Sequence, residues 1–346
     1  MERAGLSGAH FAVFLSLLLT ACSPSYVLKA AAGHGSLLLH RRSIAKGLKD
    51  PKTPEPLKVK LRLVQDVRAF AFDSMGLSKS RDYSTYTPVE GPVTFIVSGS
   101  SKTSLTPYLW RFPVIGSFPY KGYFKKADAL GEAESLRARG FDACVSGAAA
   151  YNTPLWVSDP VPTAVLEDEA GAVASLILHE LTHGTVSFKD QTRFDEALAG
   201  FVGDQGAEDF FKSRGERSQD DLEALYGERR RIRAFRAAID EVYRQLDALY
   251  RGPESEEEKL FRREALFALG RQRLKDSGFD LGPLDNAVIL AHRLYHEDLS
   301  DFKTAYDRHG GDWQKLIAFF RSLDAKRPAA DLKHRLESLA RPGPGR

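Results

Sequence analysis

Apolar residues fall at helical spacing along most of this chain. The pattern breaks once, between Val93 and Val157, into short runs rich in β-branched and aromatic side chains. Helical spacing covers Tyr26–Leu39 and Leu57–Leu77, two predicted N-terminal helices kept apart by the proline-rich stretch from Asp50 to Pro56. Within the irregular region Val93–Val97, Tyr120–Phe124, Phe141–Val145 and Tyr151–Val157 read as strands, with a helix over Lys125–Arg139 among them. From Thr163 onward nearly everything is helical by pattern, including a long, heavily charged segment from Gln219 to Arg251. The stretch from Gly252 to Glu258 is the best break between helices, and its acidic run reads as a solvated helix start. There is no internal repeat and no low-complexity tract. The expected fold is α+β and predominantly helical. One domain is expected over 22–340, helical over 22–80, α+β over 81–160 and helical over 161–340, with a disordered tail at 341–346.

Composition changes this picture little. With 346 residues, 43% hydrophobic and 27% charged, the chain fits an ordinary globular protein with a sizeable core. A net charge of +3, with acids and bases interspersed, provides no basic field for nucleic acid. The amino terminus is more informative. Arg3 is followed by an apolar run from Phe11, of a secretory signal's length and too short for a helix of about 20 residues spanning a bilayer. It ends in Leu19-Thr-Ala-Cys22, which resembles the lipobox of bacterial lipoproteins and implies removal of residues 1–21 and acylation of Cys22. Several acyl chains on one residue anchor lastingly, where a single chain is marginal. A plain secretory signal or a short anchor is the alternative. Ser23, by analogy with such lipoproteins, favours the inner leaflet of the outer membrane, facing the periplasm. The only other cysteine is Cys144, so a lipidated Cys22 leaves it no disulfide partner, and the fold is expected to rest on its core and a metal.

The chemistry concentrates in Ala172-Val-Ala-Ser-Leu-Ile-Leu-His-Glu-Leu-Thr-His183, an apolar helical run that stops at Gly184. Four residues is slightly more than one turn, so His179 and His183 share a face and can bind one zinc ion per chain. Glu180, one step round the helix, lies beside the metal's open position, where it can serve as general base. A catalytic zinc needs a third protein ligand, and Glu196 offers one at the start of the next helix, with twelve residues between it and His183. That second helix shows one face of Glu196, Gly200, Gly203 and Ala207. Each helical glycine costs about 1 kcal/mol against alanine, so two on one face predict close packing against another backbone, with the histidine helix the obvious neighbour.

The stretch from His179 through Phe194-Asp-Glu-Ala-Leu-Ala-Gly-Phe-Val202 resembles the predicted zinc aminopeptidase family of bacterial lipoproteins, which share a histidine–glutamate motif and a downstream Phe-Asn-Glu. Trp110 to Phe124, Tyr151-Asn-Thr-Pro-Leu-Trp156, Asp285-Asn-Ala-Val288 and Leu294-Tyr-His296 resemble further blocks of that family, so the likeness covers nearly the whole mature chain. It implies a zincin-like, gluzincin-type two-helix metal site on which the small mixed sheet, about residues 90–157, packs. His179, His183 and Glu196 would be the ligands, Glu180 the base and peptides the substrate. Two departures stand out. Asp195 replaces the family's asparagine; it can still cap the second helix but puts a negative charge beside the ligand glutamate. Arg111 and Ser117 stand where many members carry cysteines, so a covalent brace is missing.

A donor for the oxyanion is sought in Tyr295 or His296, against the alternative that these are core and surface residues of a helix. Tyr120, Tyr123 and Tyr151 are candidates for substrate contact on an edge strand. Ser43-Ile-Ala-Lys46 and Lys102-Thr-Ser104 echo fragments of serine enzymes acting on penicillin and cell-wall peptides, but they lie too close together and lack the third motif. The rival readings are a non-catalytic zinc-binding envelope lipoprotein and a zinc endopeptidase. No feature of the sequence points to a particular oligomeric state or to the anionic group that would hold a substrate's α-ammonium.

Overall fold

The computed structural model describes residues 35–112, 116–148, 158–293 and 298–340. Most of it is helix, and the strands gather in small sheets of two or three, the predominantly helical α+β class that the pattern implies. Cys22, Tyr151, Tyr295, His296, the strand expected at Tyr151–Val157, most of the helix expected at Tyr26–Leu39 and the tail at 341–346 lie outside the described residues. Two compact units share the chain. One takes the described residues between 91 and 148 and between 234 and 293; the other takes 41–90, 158–233 and 298–340.

The first unit is built on an antiparallel sheet in the order Tyr120–Tyr123, Thr94–Ser100, Asp142–Ala148. These are three of the expected strands, two of them extended by three residues at the carboxyl end. Fully buried Val97 pairs with Lys121 on one side and Val145 on the other. The helix Lys126–Ala138 lies over this core through buried Ala129, Ala133 and Leu136, spaced to share one face. Glu132 on that helix accepts from Trp110 Nε1 at 2.9 Å and Tyr123 Oη at 2.6 Å. Burial alone would push its carboxyl up, but these bonds and Lys121 hold it below the usual range. A two-stranded ladder, Trp110–Phe112 with Gly116–Phe118, sets Arg111 directly opposite Ser117. The two cysteine positions of the resembling family are therefore cross-strand partners.

Helices complete this unit. The long helix Gln219–Arg251, which belongs to this unit from Ala234 on, ends where the sequence predicts, and Glu256–Asp276 begins with Ser255 accepting from the Glu258 amide at 3.2 Å. Ile239, Val242, Leu246, Phe267, Leu274 and Ile289 form a second core with the helix Asn286–Arg293. Arg263 makes a bidentate pair with Asp142 at 2.8 and 3.1 Å. Burying such a pair costs several kcal/mol per ion unless every group is satisfied. Here the Asn286 amide adds a bond of 3.2 Å to the same carboxylate, and its side chain donates to the Ser101 carbonyl at 2.9 Å.

The second unit holds the motif. Its mixed sheet pairs Thr85–Thr87 antiparallel to Arg42–Ser43 and parallel to Val161–Pro162. The helix Glu55–Ala69 buries Leu61, Val64 and Val67, then passes into one π turn, Phe70–Ser74, where the pattern implied unbroken helix to Leu77. The wider turn suits Val67, Ala71 and Met75, which are four apart and all fully buried. The histidine helix, Ala170–His183, buries Val173, Ala174, Ile177, Leu178 and Leu181. At about 1.5–3 kcal/mol for each large aliphatic side chain, this face anchors it firmly. It ends as the Thr182 carbonyl accepts from Thr185 and Val186, both at 2.8 Å. Gly184 stays right-handed at φ −72°, so the left-handed freedom associated with a terminal glycine is not used.

The glutamate helix, Thr192–Ser213, packs against it. A Cβ on Gly203 would sit 2.6 Å from the Ser175 carbonyl oxygen and 3.2 Å from His179 Cβ, closer than any side chain tolerates. A Cβ on Gly206 would meet Met75 Cε at 2.8 Å and Leu178 Cδ1 at 2.9 Å, whereas Gly200 has nothing within 4 Å. The expected close face is thus real at Gly203, absent at Gly200, and supplemented by Gly206. Behind the helix Phe302 lies between Phe194 and Phe201, with ring centroids 5.3 and 6.0 Å away. Asp209 accepts from Tyr306 Oη at 2.6 Å and Trp313 Nε1 at 2.8 Å.

Gly203→Ala should therefore destabilise the protein by roughly 1–3 kcal/mol through overpacking. Gly200→Ala should be neutral or stabilise by up to about 1 kcal/mol. Denaturant melts of the two variants check the contrast, and equal effects would refute the close approach.

Candidate metal centre

Four residues along the histidine helix bring the rings of His179 and His183 to a centroid separation of 4.9 Å, with their Nε2 atoms 3.2 Å apart. Glu196, in the second turn of the glutamate helix, places Oε2 3.4 Å from His179 Nε2 and Oε1 3.6 Å from His183 Nε2. The candidate ligand atoms of the three residues all lie within 4.8 Å of one another. A tetrahedral ion with ligands at about 2.0–2.1 Å holds them about 3.3–3.4 Å apart, so the three residues, with Glu196 turning one oxygen to each imidazole, are a candidate set for a small divalent cation. Glu180 lines the same cavity, of about 230 Å³, together with Thr192 and Asp195.

Electrostatics follow from the crowding. Burial pulls His179 down, but its hydrogen bond to Glu196 and the charges of Glu180, Glu196 and Asp204 leave its pKa above the ordinary imidazole value. His183 is held below that value by burial and by the neighbouring His179 charge. Glu196 is lowered by the His179 hydrogen bond and by both imidazoles, against the opposing effect of burial. Two imidazoles this close disfavour each other's protonation, and the opposite shifts favour the proton on His179 over His183.

Asp195 does something the sequence did not suggest. The residue before the glutamate helix is Gln191, with no side-chain cap, and Asp195 sits inside the first turns. Its carboxylate turns back to accept from the Phe188 amide at 2.9 and 3.1 Å and from Ser187 Oγ at 2.9 Å. Instead of capping the helix it ties down the segment joining the two ligand helices, and its charge is met by these donors.

Two more residues bear on the site without any sequence signal. Tyr83, buried and left-handed at φ 57°, has its phenol pushed well up by burial and then by the charges of Glu180, Asp159 and Asp82. Asp204 Oδ1 accepts from Ser175 Oγ at 2.9 Å, one turn before His179. Of the substrate-contact candidates, Tyr123 and Tyr120 belong to the first unit, where Tyr123 donates to Glu132 and Tyr120 tilts against Phe118 at 6.2 Å. Ser43 caps the helix Ile44–Lys49 by accepting from the Lys46 amide at 3.4 Å, a structural task unrelated to a serine nucleophile.

A family model described as "Putative aminopeptidase" matches residues 25–336. The chain belongs to this family. No curated protein and no solved structure matches it. Membership in an aminopeptidase-like family agrees with a site in which two imidazoles and three carboxylates, Glu180, Asp195 and Glu196, line one cavity.

His179→Ala, His183→Ala and Glu196→Ala in this aminopeptidase-family protein should each weaken divalent-ion binding by at least about 100-fold, as read by metal analysis after dialysis. In the metal-free protein, ring-proton NMR should show His179 keeping its proton to higher pH than His183. The raised His179 adds stability at low pH that is lost as pH rises through its folded value. The lowered His183 works the other way, costing stability as pH falls below the unfolded value. The same His179 proton competes with a cation, so ion affinity should fall with acidification.

Proposed function

We propose that this chain is a zinc-dependent peptidase acting on the amino end of peptides, with one zinc ion held by His179, His183 and Glu196 and with Glu180 as general base. The observation that carries this reading is the convergence of the three donors at 3.2–3.6 Å spacing, with a carboxylate outside the triad in the same cavity. Imidazole nitrogens favour zinc over magnesium or calcium, and two histidines with one glutamate are the donor set of known zinc peptidases.

When bound, zinc supplies Lewis acidity, polarising a carbonyl and making a water far more acidic. The residues do the rest. His179 and His183 bind through neutral Nε2, and the histidine helix fixes both rings. Glu180 accepts the proton from water as the water oxygen adds to the peptide carbonyl carbon. It then delivers that proton to the amide nitrogen as the C–N bond breaks. A closed structural site would have no use for this fourth side chain, which favours catalysis over a purely structural ion. Membership in the aminopeptidase-like family supports the exopeptidase direction.

Glu180→Gln should retain zinc, since amide and carboxylate are nearly isosteric, while losing about 100-fold or more of turnover on aminoacyl anilides. A strong chelator should abolish hydrolysis and added zinc restore it; activity that survives verified metal removal contradicts the reading.

We also infer that the protein is an exported lipoprotein, tethered through Cys22 and facing the periplasm. The support is Leu19-Thr-Ala-Cys22, which resembles a lipobox. Cys22→Ser should move the protein from the membrane to the soluble fraction, and wild type found free in solution would overturn the assignment.

A further inference from the structure

The face of the histidine helix that carries the ligands continues toward its amino end through Leu176, Ser175 and Ala172. Below His179 this strip meets the glutamate helix at Ser175, through Gly203 and Asp204. It lines a cavity of about 330 Å³ whose far wall is Leu225 and Ile232, from the first half of the long helix. His179 borders both this cavity and the one that holds the triad, so the two meet at its ring.

The walls are mainly aliphatic, and the charge at the inner end is negative. Asp204 is exposed, one oxygen accepts from Ser175 Oγ at 2.9 Å, and the other has no hydrogen-bond partner among the described residues. Arg229, the cation in the lining, does not neutralise it. Its guanidinium pairs with the Glu208 carboxylate and donates to the backbone carbonyl of Asp204 instead. Glu228 pairs with Arg231 at 3.0 Å. Asp204 thus keeps an unpaired charge next to the metal centre and beside an apolar hollow.

We infer that this cavity is the subsite for the substrate's first residue: Asp204 holds an unblocked amino terminus, and an aliphatic side chain fills the space between Ala172, Leu176, Leu225 and Ile232. Part of this rests on the peptidase reading above, which sets the chain direction. The chemistry of the occupant, an ammonium carrying a branched aliphatic group, follows from the cavity. An acidic first residue is excluded by the same carboxylate, and an acetylated terminus lacks the charge it needs.

The test uses the metal-loaded protein with isoamylamine, which cannot be hydrolysed, and isoamyl alcohol as its uncharged counterpart. Calorimetric titration should show the amine binding more tightly. Asp204→Asn should weaken the amine about tenfold or more, as expected for a lost charge-assisted bond, and leave the alcohol within about twofold. The same variant should raise KM for leucine anilide with zinc content unchanged. Ser175→Ala, which keeps the charge, should leave both probes within about twofold, whereas Ala172→Trp, on an exposed helix position, should block both. Amine binding indifferent to both Asp204→Asn and Ala172→Trp overturns the subsite, even if peptides are cleaved. Asp204-dependent amine binding in a protein that cleaves no peptide upholds the subsite and defeats the peptidase reading instead.

Discussion

Where Gly203 of the glutamate helix meets the Ser175 carbonyl and the Cβ of His179, the two helices leave no room for a side chain at position 203. The candidate metal centre depends on that approach. With donor atoms separated by only 3.2–3.6 Å, there is no slack for a side chain that would hold the helices apart. The glutamate helix is pressed into place from behind by Phe302, Trp313 and Tyr306, the last two bonded to Asp209. Rigid helices hold the histidines and Glu196 in mutual contact, so the candidate site is pre-organised.

Charge is managed as closely as distance. Glu180, Asp195 and Glu196 crowd one cavity, yet they are turned to different tasks. Glu196 faces the imidazoles, while Asp195 is engaged by the Phe188 amide and Ser187. An acid in place of asparagine is therefore accommodated without competing for the cation, because backbone and hydroxyl donors meet its charge. The blocks in the first unit that resemble the same family have another explanation. Trp110 and Tyr123 bond Glu132, and Asn286 completes the buried pair of Arg263 with Asp142. Those residues serve architecture, where an unpaired buried polar group would cost more than the bond it lacks.

Much of this was legible from the residues. His179, Glu180 and His183 are positioned by helix geometry alone, and a helix repeats every 3.6 residues wherever it lies. The long helix from Gln219 to Arg251, the break before Glu256 and three strands of the first unit were likewise readable, because each is announced by its own local pattern. Less legible were features set by partners far along the chain. Gly200 and Gly203 look alike in sequence, and only packing distinguishes open space from a backbone contact. Asp195 looked like a cap until the connecting segment was seen folded back on it.

The helical class, the two-histidine face with its adjacent glutamate, and Glu196 as the candidate third member of the cluster could all be read from the residues, since periodicity and spacing are local properties of a chain. Only the folded chain shows how close the histidine and glutamate helices run, which glycine permits it, which donors Asp195 accepts from, and that Asp204 borders a cavity that reaches His179. Those outcomes depend on residues tens of positions apart meeting within a few ångströms, and no local pattern of hydrophobic and polar residues encodes which distant surfaces will touch.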